Sequence, residues 1–396
     1  MLIEIHMLQN HSASNLNRDD TGSPKECLFG GTPRARISSQ CLKRTIRRSE
    51  QFRVAAGEQA TRTRKMPELV KAQLLAMSEK DPEGGLSEEM INAIAKKATG
   101  FGNKTGTEDS EDKLETSQTI FLTEADVKSV AAVLYDAAKK AKSLAAVEKL
   151  KAADLQKEAS QGEFRPITVD MAMFGRMVTS EAFRNIEASV QVAHALSTHT
   201  IRHEFDYFTA VDDLQGTGNE SGDDPGADMI GEIEFNSACY YKYFAIDLNG
   251  LVDNLTGTST FRRVPSDEER EEAREAAAAS IVGLLRGAIF STPSGKQNTF
   301  AAHQLPEFIL VEIRPTRTPV SYANAFLEPV RANEDSNILV ASAQKLAIHA
   351  EKLTKTFGLE SVKRLLLTTT DVNMSGVEPV EDIAALTSVL GEALRV

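Results

Sequence analysis

Apolar and polar positions change period several times along the chain, and each change marks an element. Leu2, Ile3, Ile5, Met7 and Leu8 surround the polar Glu4 and His6, which predicts a strand over residues 1–9. Residues 10–34 read as a polar loop, with turn signals at Thr21-Gly22-Ser23-Pro24 and Phe29-Gly30-Gly31. Ser38-Ser39 then offers an N-cap, and Leu42 and Ile46 share one face of a helix running to about Phe52. From about 57 to 165 the chain turns to helical runs rich in Ala, Lys and Glu. One covers Leu69 to Met77, a second Ser87 to Ala98 closed by Gly100, and a long third opens at Thr123 with Val127, Val130, Leu134 and Ala138. The Gly/Ser/Asp-rich stretch 102–118 is a loop between them, and the whole block reads as a helical insertion.

Beyond the insertion, Val169, Met171 and Met173 alternate with polar or small residues, as do Val190, Val192, His194 and Leu196, and both patterns predict strands. Residues 204–235 hold Gly216, Gly218, Gly222, Pro225 and Gly226 between apolar flanks, a long hairpin with a Gly-rich tip. The strand from Phe235 to Leu248 is aromatic, with Tyr240, Tyr241, Tyr243 and Phe244. Ser266 and Glu269 form a capping box that opens a helix through Leu284, Leu285 and Ile289. Phe308 to Ile313 is a strand, and 336–357 a final amphipathic helix. This order suggests an α+β fold, a ferredoxin-like or RRM-type core with large insertions.

Composition narrows the class. The chain has 396 residues with 41% hydrophobic and 26% charged, ordinary values for a chain able to bury a core. No apolar run approaches the roughly 20 residues that span a bilayer. Met1 to Leu8 lacks a basic leader and a small-residue cleavage site, so it reads as structure. Cys27, Cys41 and Cys239 are odd in number and widely spaced, which argues against a disulfide framework or zinc knuckle and suits a reducing cytoplasm.

The net charge of −12 speaks at first against a nucleic-acid partner, but phosphates feel the local field within about 8 Å. Pro33 to Arg53 holds Arg34, Arg36, Lys43, Arg44, Arg47, Arg48 and Arg53 against Glu50 alone, a net +6, so the rest of the chain carries −18. Lys43 and Arg47 are four apart, as are Arg44 and Arg48, so a helix stacks each pair on one face. Donors at a Ser38-Ser39-Gln40 helix start, followed by cations one and two turns later, would track a sugar-phosphate backbone. The other reading of such a helix is a solvated charged face.

The hairpin is the opposite case: Glu204 to Phe235 carries ten acidic residues and no Lys or Arg. It can touch nucleic acid only through apolar residues such as Phe208, Leu214, Met229 and Ile230, wedged against bases, or else it is an acidic loop facing solvent. Asp212-Asp213 raises metal-assisted RNA cleavage, but adjacent acids in a strand point to opposite faces, and turn or surface roles fit them better. His194, His199 and His203 suit core or capping positions better than metal ligation. The aromatic strand 240–244 is similar to the base-stacking strands of RRMs, although half-buried packing is the commoner role. Nucleotide-binding, serine-hydrolase, zinc-protease and zinc-knuckle motifs are all missing from the sequence, so no cofactor and no catalysis are expected.

Several blocks then follow in a familiar order. They are His11-Ser12, Leu16-Asn17-Arg18-Asp19-Asp20, Phe29-Gly30-Gly31, Arg36-Ile37-Ser38-Ser39-Gln40 and Leu42-Lys43-Arg44. Further on come Gly175-Arg176-Met177, Ala193-His194-Ala195 with Thr198-His199, Phe208 to Leu214, Lys296-Gln297 with Thr299, and Ala323-Asn324-Ala325-Phe326. Together they resemble the CasC family, the backbone subunit of type I-E CRISPR surveillance complexes (Cascade). The resemblance implies an RRM-like palm over 1–56, 166–203 and 236–396, helical fingers over 57–165 and a thumb hairpin over 204–235. It implies copies stacked head to tail on a guide RNA (crRNA), about six of them, as a homo-oligomeric filament. The small, large and guide-end capping subunits would be further partners, and target DNA would be bound as a hybrid read by base pairing.

Carried over by position, Arg18, Lys25, Arg36, Ser38, Ser39, Gln40, Lys43, Arg44, Arg47, Met177, Lys296 and Gln297 would contact RNA. Phe208, Thr209 and Ile230 would form the thumb wedge, beside Tyr207 where the family has Trp. Two other classes stay open: a metal-dependent target-RNA endonuclease of the related type III kind, using Asp212 or Asp213, and a protein-interaction module without nucleic acid.

Overall fold

The first strand runs from Leu2 to Ser14, well past the alternating residues, because it lies at the centre of a sheet with a partner on each edge. On one side it pairs antiparallel with Phe308–Arg314 and on the other with the long strand Met229–Asp247. The computed structural model describes residues 1–82, 84–108, 113–160, 165–210, 229–333 and 336–395. Beyond Phe308–Arg314 the sheet continues through Lys363–Thr368 to Glu378–Pro379. On the far edge of the long strand lie Val190–Val192 and Ala195–Ser197, and Thr32–Ile37 with Glu26–Phe29 extends the sheet from there. Ladders are antiparallel except between Lys363–Thr368 and Glu378–Pro379.

Both faces of this sheet are covered. Ile5, Met7, Tyr240, Phe244 and Ile246 pack beneath the helices Ser39–Arg48, Glu50–Ala56, Asp267–Phe290 and Ile383–Arg395. Leu8, Tyr241, Tyr243 and Leu310 pack under Ile338–Phe357 and the short turn Ala323–Phe326. Phe244 is fully buried at the centre, where truncation to alanine costs about 3–5 kcal/mol. A separate apolar cluster builds from Met66–Glu79, Glu88–Lys97, Glu124–Ala141 and Ala152–Ser160, the helical block between residues 57 and 165.

Four expectations need correction. The supposed loop 10–34 is largely strand: the first strand continues through Asn10 to Ser14, and Glu26–Phe29 and Thr32–Ile37 form a hairpin turning at Gly30-Gly31. Gly30 is required there, since its φ is +60° and a Cβ would meet the Leu327 carbonyl oxygen at 1.8 Å. Polarity hid these strands because their inward polar groups are satisfied individually, as where His11 Nδ1 lies 3.2 Å from the Ala302 carbonyl.

Residues 169–174 form a helix, not a strand; a run of six with Met171, Ala172 and Met173 all buried carries no usable period. His194 is exposed, because the strand breaks at 193–194 and resumes at Ala195 with its alternation shifted. Of the two readings of the aromatic strand, the commoner one holds: Tyr240, Tyr241, Tyr243 and Phe244 are all buried under helices. The helix Ile338–Phe357 is also not the last element, since the strands Lys363–Thr368 and Glu378–Pro379 and the helix Ile383–Arg395 follow.

Candidate nucleic-acid interface

Ser38 caps the basic helix with an extended backbone (φ −68°, ψ 149°), its hydroxyl accepting from Cys41 N–H at 3.3 Å. Leu42 and Ile46 are buried, which leaves Gln40, Arg44 and Arg48 exposed and Lys43 and Arg47 half-buried at i, i+3, i+4, i+7 and i+8. The first turn has no acid, so the backbone N–H groups at the helix start meet no carboxylate of that turn.

A hydrogen-bonded corner surrounds this helix start. Asn17 Oδ1 accepts from Ser38 N–H at 2.8 Å, and the Asn17 carbonyl accepts from Lys25 N–H at 2.8 Å. The Lys25 carbonyl in turn accepts from Arg36 N–H at 2.8 Å. Arg18 stands exposed in the adjoining turn, which Asp19 organises by accepting from Thr21 and Ser23. Gly295 passes so close to this strand end that a Cβ would lie 2.5 Å from the carbonyl oxygens of Asn15 and Leu16. That approach brings Lys296 and Gln297 to the same corner. Arg18, Lys25, Arg36, Ser38, Ser39, Gln40, Lys43, Arg44, Lys296 and Gln297 therefore gather from three separate chain segments.

Not every basic residue of the segment is free to bind. Arg34 is fully buried, donating to the carbonyls of Ser197 at 3.0 Å and Phe326 at 2.8 Å. Arg47 donates to Asp170 at 3.2 Å and to the Ala60 carbonyl at 3.1 Å, with its guanidinium 5.0 Å from the Phe121 ring. Arg36 Nη1 meets His194 Nδ1 at 3.2 Å, and burial, with Arg36 and Lys25 beside it, lowers the pKa of that histidine. Burial and then Arg62 lower the Lys43 ammonium.

The hairpin rises beside this corner. Glu204–Ala210 pairs with the start of the long strand, Phe205 opposite Glu234 and Thr209 opposite Ile230. Its root is held by Asn15, which donates to the Glu234 carbonyl at 2.9 Å, and by His203, which bridges Glu26 and Glu234. Tyr207 and Ile230 are mostly exposed, and the Phe208 ring lies over Gly231, where a Cβ would come within 2.4 Å of it. Asp212, Asp213, Leu214 and the Gly-rich tip 216–228 lie outside the described residues. Met177 is 93% exposed, whereas its neighbour Arg176 is buried against Asp126 at 2.6 Å.

His199 accepts from Cys239 N–H at 3.2 Å, a capping role. Among the described residues, the one group with metal-ligand geometry is Glu4, His6 and Glu312, fully buried. Its carboxylates are already saturated. Glu4 accepts from Arg314, Tyr243 and the Val320 N–H, and Glu312 from Arg314, Arg364 and Tyr322. Burial alone would raise Glu312, but His6 and the two arginines outweigh it and hold its carboxyl well below the usual range. The cluster reads as a core ion network.

Two residues of this surface escaped the sequence reading. Asn17 sits inside a quoted block, yet its part in fixing Ser38 depends on a contact 21 residues away. Arg62 lies on the short strand Thr61–Thr63, in a block whose sequence pattern is helical.

A family model described as CT1975-like protein matches residues 3–390. No curated protein gives a significant match. Among solved structures, a chain of a "CRISPR RNA-guided surveillance complex, pre-nicking" is 25% identical with a TM-score of 0.76, covering 100% of both chains. A chain of a "CRISPR RNA-guided surveillance complex" is 21% identical with a TM-score of 0.69, covering 99% of this chain and 100% of that one.

Proposed function

The chain belongs to the CT1975-like family, the CasC family that its motifs resemble, and we propose that it is a non-catalytic backbone subunit of a type I-E CRISPR surveillance complex. It polymerises along a guide RNA in the cytoplasm, holds the phosphates and leaves the bases free to pair with target DNA. The observation that carries this reading is the corner around Ser38, where phosphate-type donors from residues 18–25, 36–44 and 295–297 converge while the chain as a whole is acidic.

An RRM-like palm is supported by strand order. Phe308–Arg314, Leu2–Ser14, Met229–Asp247 and the pair Val190–Val192/Ala195–Ser197 lie side by side. The crossings between first and second strands, and between third and fourth, pass through helices on one face, the arrangement of a split β-α-β-β-α-β unit. The helical block then corresponds to fingers and the hairpin to a thumb. With both sheet faces covered, RNA belongs on the rim, at the basic helix. No helix among the described residues is long and apolar enough to cross a membrane.

Coexpression with a CRISPR repeat–spacer transcript tests the proposal. The wild-type chain should copurify with guide RNA as a large assembly, and Arg18→Ala/Lys25→Ala/Lys43→Ala should lose both RNA and size. Equal RNA on both proteins would move the grip elsewhere. Wild type free of RNA, with its partner subunits coexpressed, would refute the backbone role.

A further inference from the structure

A second group of cations gathers where the basic helix, the helix after it and the ribbon Thr61–Thr63/Ile120–Leu122 meet. Arg47, Arg48, Arg53 and Arg62 line an open cleft of ≈ 540 Å³ there, and Glu58 is the one acid on its walls among the described residues. Asp170 occupies Arg47 from the inner side. Arg62 makes no ion pair or side-chain hydrogen bond among the described residues. Its guanidinium rests 5.3 Å from the Phe121 ring, which Arg47 also faces at 5.0 Å. Two guanidinium groups on one ring, with Lys43 nearby, repel each other. Burial and then Arg47 lower the Arg62 pKa, and burial and then Arg62 lower that of Lys43.

Uncompensated cations raise the free energy of the empty cleft, and an anion entering it relieves that repulsion. The ring holds the Arg62 fork in place, so little side-chain freedom is lost when it binds. A guanidinium fork matches the paired oxygens of a phosphodiester. We propose that this cleft is a phosphodiester-binding site, with Arg62, supported by Arg48 and Arg53, taking the nucleic-acid backbone beyond Lys43. The site rests on the RNA-binding reading above and extends it by Arg62 from the helical block and by Arg48 and Arg53.

The test uses the full chain and two probes: a labelled single-stranded RNA, and the same RNA annealed to complementary DNA. Arg62→Ala should weaken binding several-fold at moderate salt and remove about 0.7 from the log–log salt slope on single-stranded RNA. Arg62→Lys should restore the slope but not the full affinity. Loss on both probes puts the guide strand in the cleft, and loss on the hybrid alone puts the paired strand there. Unchanged affinity and slope for Arg62→Ala on both probes, while Lys43→Ala still weakens binding, overturns the cleft and leaves the RNA reading intact. Failure of the wild type to bind either probe removes that reading and the cleft with it.

Discussion

Arg47 places Nη1 3.2 Å from Oδ2 of Asp170, a fully buried carboxylate 123 residues further along the chain. Asp170 also accepts from the Ala60 N–H at 3.1 Å and the Thr168 hydroxyl at 2.6 Å. The basic helix, the start of the helical block and the helix Val169–Phe174 are thereby tied at one point.

Asp170→Ala leaves three donors without their acceptor and should cost roughly 3 kcal/mol. Urea unfolding reads this directly. A midpoint equal to that of wild type would mean that the pair does not hold these segments together.

Because Arg47 is shared between fold and surface, an Arg47→Ala result mixes lost stability with lost binding. Lys43→Ala is the cleaner probe. It should lower affinity for single-stranded RNA and take about 0.7 off the log–log salt slope, while stability stays within about 0.5 kcal/mol. Fluorescence anisotropy over a salt series, paired with thermal melts, separates the two effects. Unaltered affinity would remove Lys43 from the contact surface.

Phe208 packs on Gly231 rather than in a core, so Phe208→Ala should leave the melting temperature nearly unchanged. If the hairpin displaces guide bases, chemical probing of the bound RNA should lose its periodic reactivity in Phe208→Ala and in Ile230→Asp. The wild-type pattern persisting in both variants would exclude the wedge.

Beneath the basic helix, Lys242 and His11 share one face of the sheet, with Lys242 donating to Gln9 Oε1. Burial pushes the Lys242 ammonium down to about 8 and, with Lys242 adding to the effect, the His11 imidazole down to about 4. Between pH 8 and 10.5 the unfolded chain holds a proton on this lysine that the folded chain has released. Stability contributed by this site therefore rises with pH through that window, and for His11 it rises between 4 and 6.5.

Lys242→Met should be the more stable protein at pH 7, with an advantage that shrinks by on the order of 3 kcal/mol towards pH 10.5. Urea midpoints of both proteins at the two pH values measure it. A constant difference would show that Lys242 is not desolvated.

Much of the candidate site was legible because its signals are local. Ser38 caps a helix by reaching three residues ahead, and Leu42 with Ile46 sets which side faces out. The capping box at Ser266 and Glu269 is equally local and forms as read. Where the reading failed, distant contacts had overruled local pattern. His11 looks like a loop residue until the Ala302 carbonyl, 291 residues away, supplies its partner. Tyr240 to Phe244 could face bases or helices by alternation alone, and coverage on both sides settles it as core.

Periodicity, caps and charge blocks thus determined the mixed fold, the basic helix and the acidic hairpin, since each depends on side chains within a turn or two of one another. Tertiary structure decided which cations remain available. Arg34 and Arg47 are spent on carbonyls and on Asp170, whereas Arg62 joins the surface from a segment that the sequence pattern assigned to helices. A charge is visible in a sequence, but the partner that neutralises it is fixed only when remote segments fold against it.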